Sequence, residues 1–364
     1  MLDLIYLPPK IQNRVRASAL RVGIAAALLS PLLAVAGGEL DDALPPTLRD
    51  TGLYQDWDTK TIGPDKLAYS PQYPLWSDGA IKSRWMQLPP GAFVDASQPD
   101  AWQFPIGTKF WKEFKFSRRA ETRYIERTAQ GWKYATYVWN DDETQAVLAP
   151  KQGIRNSVPI NDKVRHGIPS RSDCHSCHEG NPVPILGFGA LQLSVDRDPN
   201  APHSEPLPDG DVTLLTLIKN GQVRGLPSYL TNGDPRIAAR SPTARAALGY
   251  LHGNCGGCHT FSGELGNLDF SLKYPVTLPP PDRPPALDTT LGHISKFVPP
   301  SWETPGQRVR AGDADHSVLA ERIASRNPYI QMPPLGTRLV DDEAVTLIRK
   351  WISEEPQSKD EPPK

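Results

Sequence analysis

The clearest pattern of apolar and polar positions lies between Phe104 and Trp139. Phe104-Pro105-Ile106-Gly107-Thr108 reads as a turn entering Lys109–Phe116, where Phe110, Lys112, Phe114 and Phe116 fall on one face. That period of two predicts a strand whose face is apolar apart from one lysine. Glu121–Thr128 alternates less cleanly, and Ala129-Gln130-Gly131 leads into Trp132–Trp139, whose aromatic content favours a strand. Asn140-Asp141-Asp142 closes it as a turn. An antiparallel sheet is therefore expected within residues 37–193, and the tryptophans crowded into this half are expected to pack it.

The period then lengthens. Ala244, Ala247, Leu248 and Leu251 make a helical stripe over Thr243–Leu251. Val345, Ile348 and Ile352 make another over Asp341–Ile352, with an acidic start and a basic later turn that suit the helix dipole. Between the two halves, residues 194–240 read as a linker punctuated by Pro199, Pro202, Pro206 and Pro208, with a short helix over Asp211–Lys219. Pro275–Pro285 reads as a surface loop, and the charged, Pro-rich residues 356–364 as a disordered tail.

At the start, Lys10, Arg14, Arg16 and Arg21 precede an apolar run from Val22 to Val35 ending in Ala34-Val35-Ala36. This is the arrangement of a secretory signal over residues 1–36, so the mature chain is expected in the periplasm or outside the cell. The run is short for a span and Pro31 interrupts it, so no membrane-crossing segment is expected after its removal. Lys plus Arg is 40 against 41 for Asp plus Glu, which leaves no basic face demanding nucleic acid. The 39 prolines favour turn-rich connections over long helices.

All four cysteines sit in two Cys-x-x-Cys-His pentapeptides, Cys174-His175-Ser176-Cys177-His178 and Cys255-Gly256-Gly257-Cys258-His259. Each spacing suits two thioethers to one porphyrin, with the adjoining imidazole reaching the iron, and is the attachment signal for c-type haem. A structural zinc site needs four ligands, and one pentapeptide supplies three. A redox dithiol does not require the histidine. Two covalently bound haem c groups are therefore expected, with His178 on the first iron and His259 on the second. The second motif also has Met332-Pro333-Pro334, in which a rigid proline pair holds a thioether in place.

Residues 241–355, with their leading helix, Cys255-x-x-Cys258-His259, the late Met332-Pro333-Pro334 and the closing helix containing Trp351, resemble a class I cytochrome c domain. The resemblance implies an all-α domain, thioethers at Cys255 and Cys258, His259 as proximal ligand and Met332 as distal ligand. The fold class expected is thus α+β, an antiparallel β-rich domain carrying one haem motif followed by that all-α domain. A Phe-Pro-x-Gly-Thr turn, a Lys-rich strand, a Trp-x-Tyr strand and a later haem motif resemble the sheet-based cytochrome c′-beta family. That resemblance implies a first haem whose sixth position accepts a ligand. His166, His203, Met86 and no protein ligand at all stay open there; His175 and His252 are disfavoured by position. Tyr73-Pro74-Leu75-Trp76-Ser77-Asp78-Gly79-Ala80, together with both motifs, is similar to secreted bacterial dihaem cytochromes.

The function expected is electron transfer between a periplasmic redox protein or dehydrogenase and an acceptor. The alternative is a haem enzyme whose open first iron acts on peroxide or a small nitrogen species. Glu113, Glu121 and Asp142 read as solvated strand or turn residues, and no general acid or base stands out.

Overall fold

Six antiparallel strands, neighbours in space in their order along the chain, form the largest element among the described residues. The computed structural model describes residues 44–277 and 283–356. The signal expected over residues 1–36, the middle of the Pro-rich loop and the tail beyond 356 lie outside the described residues. A short antiparallel pair, β1 (Tyr54–Asp56) and β2 (Thr61–Ile62), precedes the sheet. The sheet itself is built from β3 (Leu67–Ala68), β4 (Ile81–Gln87), β6 (Lys109–Lys115), β7 (Arg119–Thr128), β8 (Gly131–Trp139) and β9 (Ala146–Leu148). β5 (Val94–Asp95) pairs in parallel with the distant β10 (Val223–Arg224).

The two faces of the sheet have different partners. Trp111, Tyr124, Tyr137 and Trp139 point one way and bury themselves against Leu48 and Leu53. Trp57 stacks on Trp139 with centroids 5.4 Å apart, so the aromatic residues here pack the sheet. Met86 and Phe110, paired across β4 and β6, belong to the other face. They join a continuous core that also takes Tyr73, Leu191, Leu248, Leu251, Ile348, Trp351 and Ile352.

The helices are α1 (Arg171–His178), α2 (Leu214–Lys219), α3 (Ser228–Thr231), α4 (Pro242–Asn254), α5 (Pro285–Asp288), α6 (Val318–Ile323) and α7 (Asp342–Glu354). Ser241 caps α4 by accepting from the Ala244 amide, and Asp341 caps α7 in the same way. Leu248 and Leu251 of α4 and Ile348, Trp351 and Ile352 of α7 are buried in the same core.

The expected all-α class I cytochrome c domain over 241–355 is not present. Among the described residues between α4 and α7, the helices are a one-turn 3-10 helix, α5 of four residues and α6 of six. The rest is turns and isolated bridges, among them Leu291 with Val309 and Gln307 with Ser317. The chain is a mixed α/β fold dominated by its antiparallel sheet and poor in helix. The reason is local: Pro284, Pro285, Pro299, Pro300 and Pro305 deprive this stretch of amide donors and interrupt any helical period. The two strong helical stripes at its ends did not license helix in between.

Candidate functional site

The first pentapeptide lies wholly within α1. Ser170 accepts from the Asp173 amide at 3.1 Å while Asp173 accepts from the Ser170 amide at 2.8 Å, a reciprocal cap that fixes where the helix starts. Helical spacing then puts Cys174, Cys177 and His178 on neighbouring positions of one face. α1 rests against β8, where the Tyr134 ring lies 5.1 Å from that of His175 and 5.4 Å from that of His178. His178 Nδ1 hydrogen-bonds to the Pro184 carbonyl at 2.5 Å. A carbonyl can only accept, so Nδ1 carries the proton and Nε2 keeps its lone pair. Burial, with the charges of Arg123 and Lys112 beyond it, lowers the His178 pKa to about 4 and keeps the ring neutral. Burial likewise raises the Cys174 thiol to about 11.

The second pentapeptide begins at the last turn of α4. Cys255 donates to the Leu251 carbonyl as the helix ends, and the Cys258 and His259 amides both return to the Cys255 carbonyl, at 3.1 and 2.9 Å. These bonds curl the motif so that its thiols and imidazole stay together. His259 Nδ1 is buried without a partner among the described residues, and the ring lies 4.6 Å from Phe270. Burial, then Arg322 and Arg308, lowers its pKa to about 4. Burial raises the Cys255 thiol to about 12.

The two motifs touch. Cys258 Sγ lies 4.0 Å from the Ser176 carbonyl oxygen across 82 residues of chain. The neighbouring Cys177 and Cys258 thiols perturb each other, which raises the Cys177 thiol and lowers that of Cys258. Asn181 Nδ2 donates to the Gly257 carbonyl, and Ser262 Oγ donates to the Gly180 carbonyl at 2.8 Å. Glycine makes the approach possible. A Cβ on Gly263, whose φ is +75°, would lie 2.5 Å from Gly180 Cα.

Tyr73–Ala80 acts as a strap that holds the second motif. Asn254 Oδ1 accepts from the Trp76 amide at 2.6 Å, and its Nδ2 donates to the Pro74 carbonyl. A Cβ on Gly249 would fall 1.9 Å from the Tyr73 ring, so α4 needs glycine there. Asp78, at a positive φ of 55° and 3 % exposed, accepts from the Arg338 and Leu339 amides at 2.7 and 2.8 Å. It thereby anchors the segment that follows Met332-Pro333-Pro334. Met332 itself donates its amide to the Arg322 carbonyl at 3.0 Å, and Arg322 is one of two arginines whose charge is felt at His259. The Met332 loop therefore hangs from α6.

The three residues weighed as sixth ligand of the first iron are otherwise engaged. His166 is 1 % exposed, with Nε2 3.0 Å from Glu121 Oε1. His203 places Nε2 2.8 Å from Asp341 and packs its ring on Trp76. Met86 is fully buried in the core. His175 pairs with Glu179 at 2.7 Å, and His252 accepts the Tyr274 amide at 3.0 Å. Glu121 and Glu113 are not solvated strand residues: Glu121 is fully buried between Arg123 and His166, and Glu113 is buried between Arg119 and Tyr54. Asn254, Asp78 and Pro184 escaped sequence reasoning, because a side-chain cap or a carbonyl acceptor leaves no periodic trace. Arg123 escaped it too, and only the alternation around Lys112 hinted at a polar patch on that face.

Each pentapeptide offers two thiols and a neutral, half-buried imidazole, the donor set a c-type haem would need, and the Pro184 carbonyl fixes which His178 nitrogen keeps its lone pair. A cleft open to solvent runs between residues 181–192 and the second motif, lined by Leu186, Phe188, His252, Gly256 and Gly257. Among the described residues, no group of three or more His, Cys, Asp or Glu could hold a bare metal ion, and no helix is long and apolar enough to cross a membrane. No family model, curated protein or solved structure matches the chain.

Proposed function

We propose that this chain is an exported dihaem c-type cytochrome that passes electrons between two covalently held haems and a periplasmic redox protein or dehydrogenase. The contact between the two Cys-x-x-Cys-His motifs carries the reading. Each cysteine sulfur would be the edge of a porphyrin, so adjacent Cys177 and Cys258 bring two porphyrin edges side by side. A protein that held two haems for unrelated purposes would have no need of that contact, or of the Gly180–Gly263 approach beside it.

In this reading Cys174 and Cys177 hold the first haem and His178 ligates its iron. Cys255 and Cys258 hold the second, with His259 and Met332 as its axial ligands. Bound haem supplies the one-electron couple. The chain supplies orientation, through the Pro184 carbonyl on His178 and the Asp78 and Arg322 anchors on either side of the Met332 loop. A methionine ligand raises the potential relative to a second histidine, so the second haem would titrate above a bis-histidine haem. A spectroscopic redox titration of purified holoprotein tests this: two c-type haems titrating as distinct couples support it, and one haem or none refutes it. Met332→Ala removes the thioether, and the account predicts a lower potential and an altered ferric spectrum for one haem only.

A second reading concerns the first iron. Because His166, His203 and Met86 are held by Glu121, Asp341 and the core, that iron has no evident sixth protein ligand among the described residues. It would then bind an added ligand, and carbon monoxide would shift the spectrum of half the reduced haem. Two low-spin haems indifferent to carbon monoxide would leave electron transfer alone.

A further inference from the structure

On the sheet face opposite the Trp111 core, Arg84, Lys112 and Arg123 stand side by side on β4, β6 and β7. The register pairs Arg84 with Lys112 and Lys112 with Arg123. Lys82, one pleat along β4, makes a fourth cation on the same face. Two carboxylates answer them. Glu205 takes Arg84 in a two-point contact at 2.7 and 3.2 Å, and Glu121 takes Arg123 at 2.7 Å. Lys82 is spent on the Leu75 carbonyl at 2.8 Å.

Lys112, in the middle of the row, has no carboxylate at hydrogen-bond or ion-pair distance among the described residues. Its ammonium lies 5.0 Å from the Phe114 ring centroid, with Arg84, Lys82 and Arg123 around it and the charge of Glu205, already paired with Arg84, reaching it from further off. Like charges directly opposite on a sheet are destabilising, and a buried charge without a counter-charge is costly. Burial and then the neighbouring Arg84, Lys82 and Arg123 pull the Lys112 pKa far below that of a free lysine. The row shares its face of the sheet with Tyr134 of β8, two residues from the Thr136 that pairs with Arg123, and the Tyr134 ring lies 5.4 Å from that of His178 in the first motif.

We propose that Arg84, Lys112 and Arg123 form an oxyanion site beside the first motif, with Lys112 as the central donor. Four cations against two carboxylates leave the row net positive, and a central ammonium with no hydrogen bond between two guanidinium groups suits a carboxylate or a small inorganic oxyanion. That chemistry has two sources, a free anion such as nitrite or acetate and a propionate of the first haem. The free-anion source stands without the haem reading; the propionate source rests on it.

The test uses full-length protein as purified, its covalent haem counted independently by an alkaline pyridine spectrum, so that failure of the haem reading shows there. Nitrite and acetate are titrated calorimetrically into wild type, Lys112→Gln, Lys112→Arg and the control Lys115→Gln, an exposed lysine on the opposite face. Loss of one charged hydrogen-bond donor is expected to weaken binding by about tenfold or more. A free oxyanion occupant gives saturable one-to-one binding that Lys112→Gln weakens by that factor, Lys112→Arg largely restores and Lys115→Gln leaves alone. A propionate occupant gives no free-anion binding, but Lys112→Gln shifts the potential of one haem and Lys115→Gln shifts neither. If no anion binds and Lys112→Gln leaves both potentials unchanged, the proposal is overturned.

Discussion

Glu121 shows how one buried residue ties the sheet to the first motif. Burial alone would raise its carboxyl pKa, but Arg123 and His166 outweigh that and hold it below the ordinary value. A depressed folded pKa stabilises the fold above the ordinary carboxylate range, and that stability is lost as pH falls through the depressed value. Glu121→Gln should therefore be less stable than wild type at neutral pH and show a shallower acid limb in denaturant melts followed against pH. Parallel curves would remove Glu121 from the acid response. Gly249 offers a steric test. A methyl there meets the Tyr73 ring, so Gly249→Ala should cost about 1–3 kcal/mol in urea unfolding, despite alanine's better helix propensity. The chemistry-bearing residues were the legible ones, because Cys-x-x-Cys-His is a contiguous signal. Asn254, Asp78 and Arg123 act across long stretches of chain, and nothing adjacent to them in sequence announces it.

At the scale of elements, α1 matters most because its start decides where Cys174, Cys177 and His178 point. Removing the Ser170 hydroxyl breaks the reciprocal cap. Ser170→Ala should lower stability by about 1 kcal/mol, read from the midpoint of chemical unfolding. A variant indistinguishable from wild type would show the cap to be idle. The strands over Lys109–Lys115 and Gly131–Trp139 and the helices at Pro242–Asn254 and Asp342–Glu354 followed their apolar periods closely. The stretch between those helices did not follow from its ends. Its prolines and short bridges replace the helices that a class I cytochrome c domain requires, so resemblance at the Cys255 motif and the Met332 loop overreached to the whole segment.

Across the molecule, the two halves of the chain share one core. Met86 and Phe110 of the sheet pack in the same cluster as Leu251 and Trp351, and β5 pairs with β10 across more than a hundred residues. Local patterning could not show this, since the parallel pair is two residues long on each side and the strap from Tyr73 to Ala80 has no secondary structure of its own beside α4. The consequence is the meeting of the two motifs, from which the proposed electron path follows. It also supplies the competing chemistry. In an oxidising compartment, free Cys177 and Cys258 thiols this close could couple to each other, whereas thioether formation would consume them.

The intact mass of the exported, denatured and unreduced polypeptide separates these outcomes directly. Two covalent haem increments, falling to one when Cys174 and Cys177 are both replaced by alanine, are what the account predicts. A mass with no haem increment, or one short of two hydrogens from a Cys177–Cys258 disulfide, would contradict it.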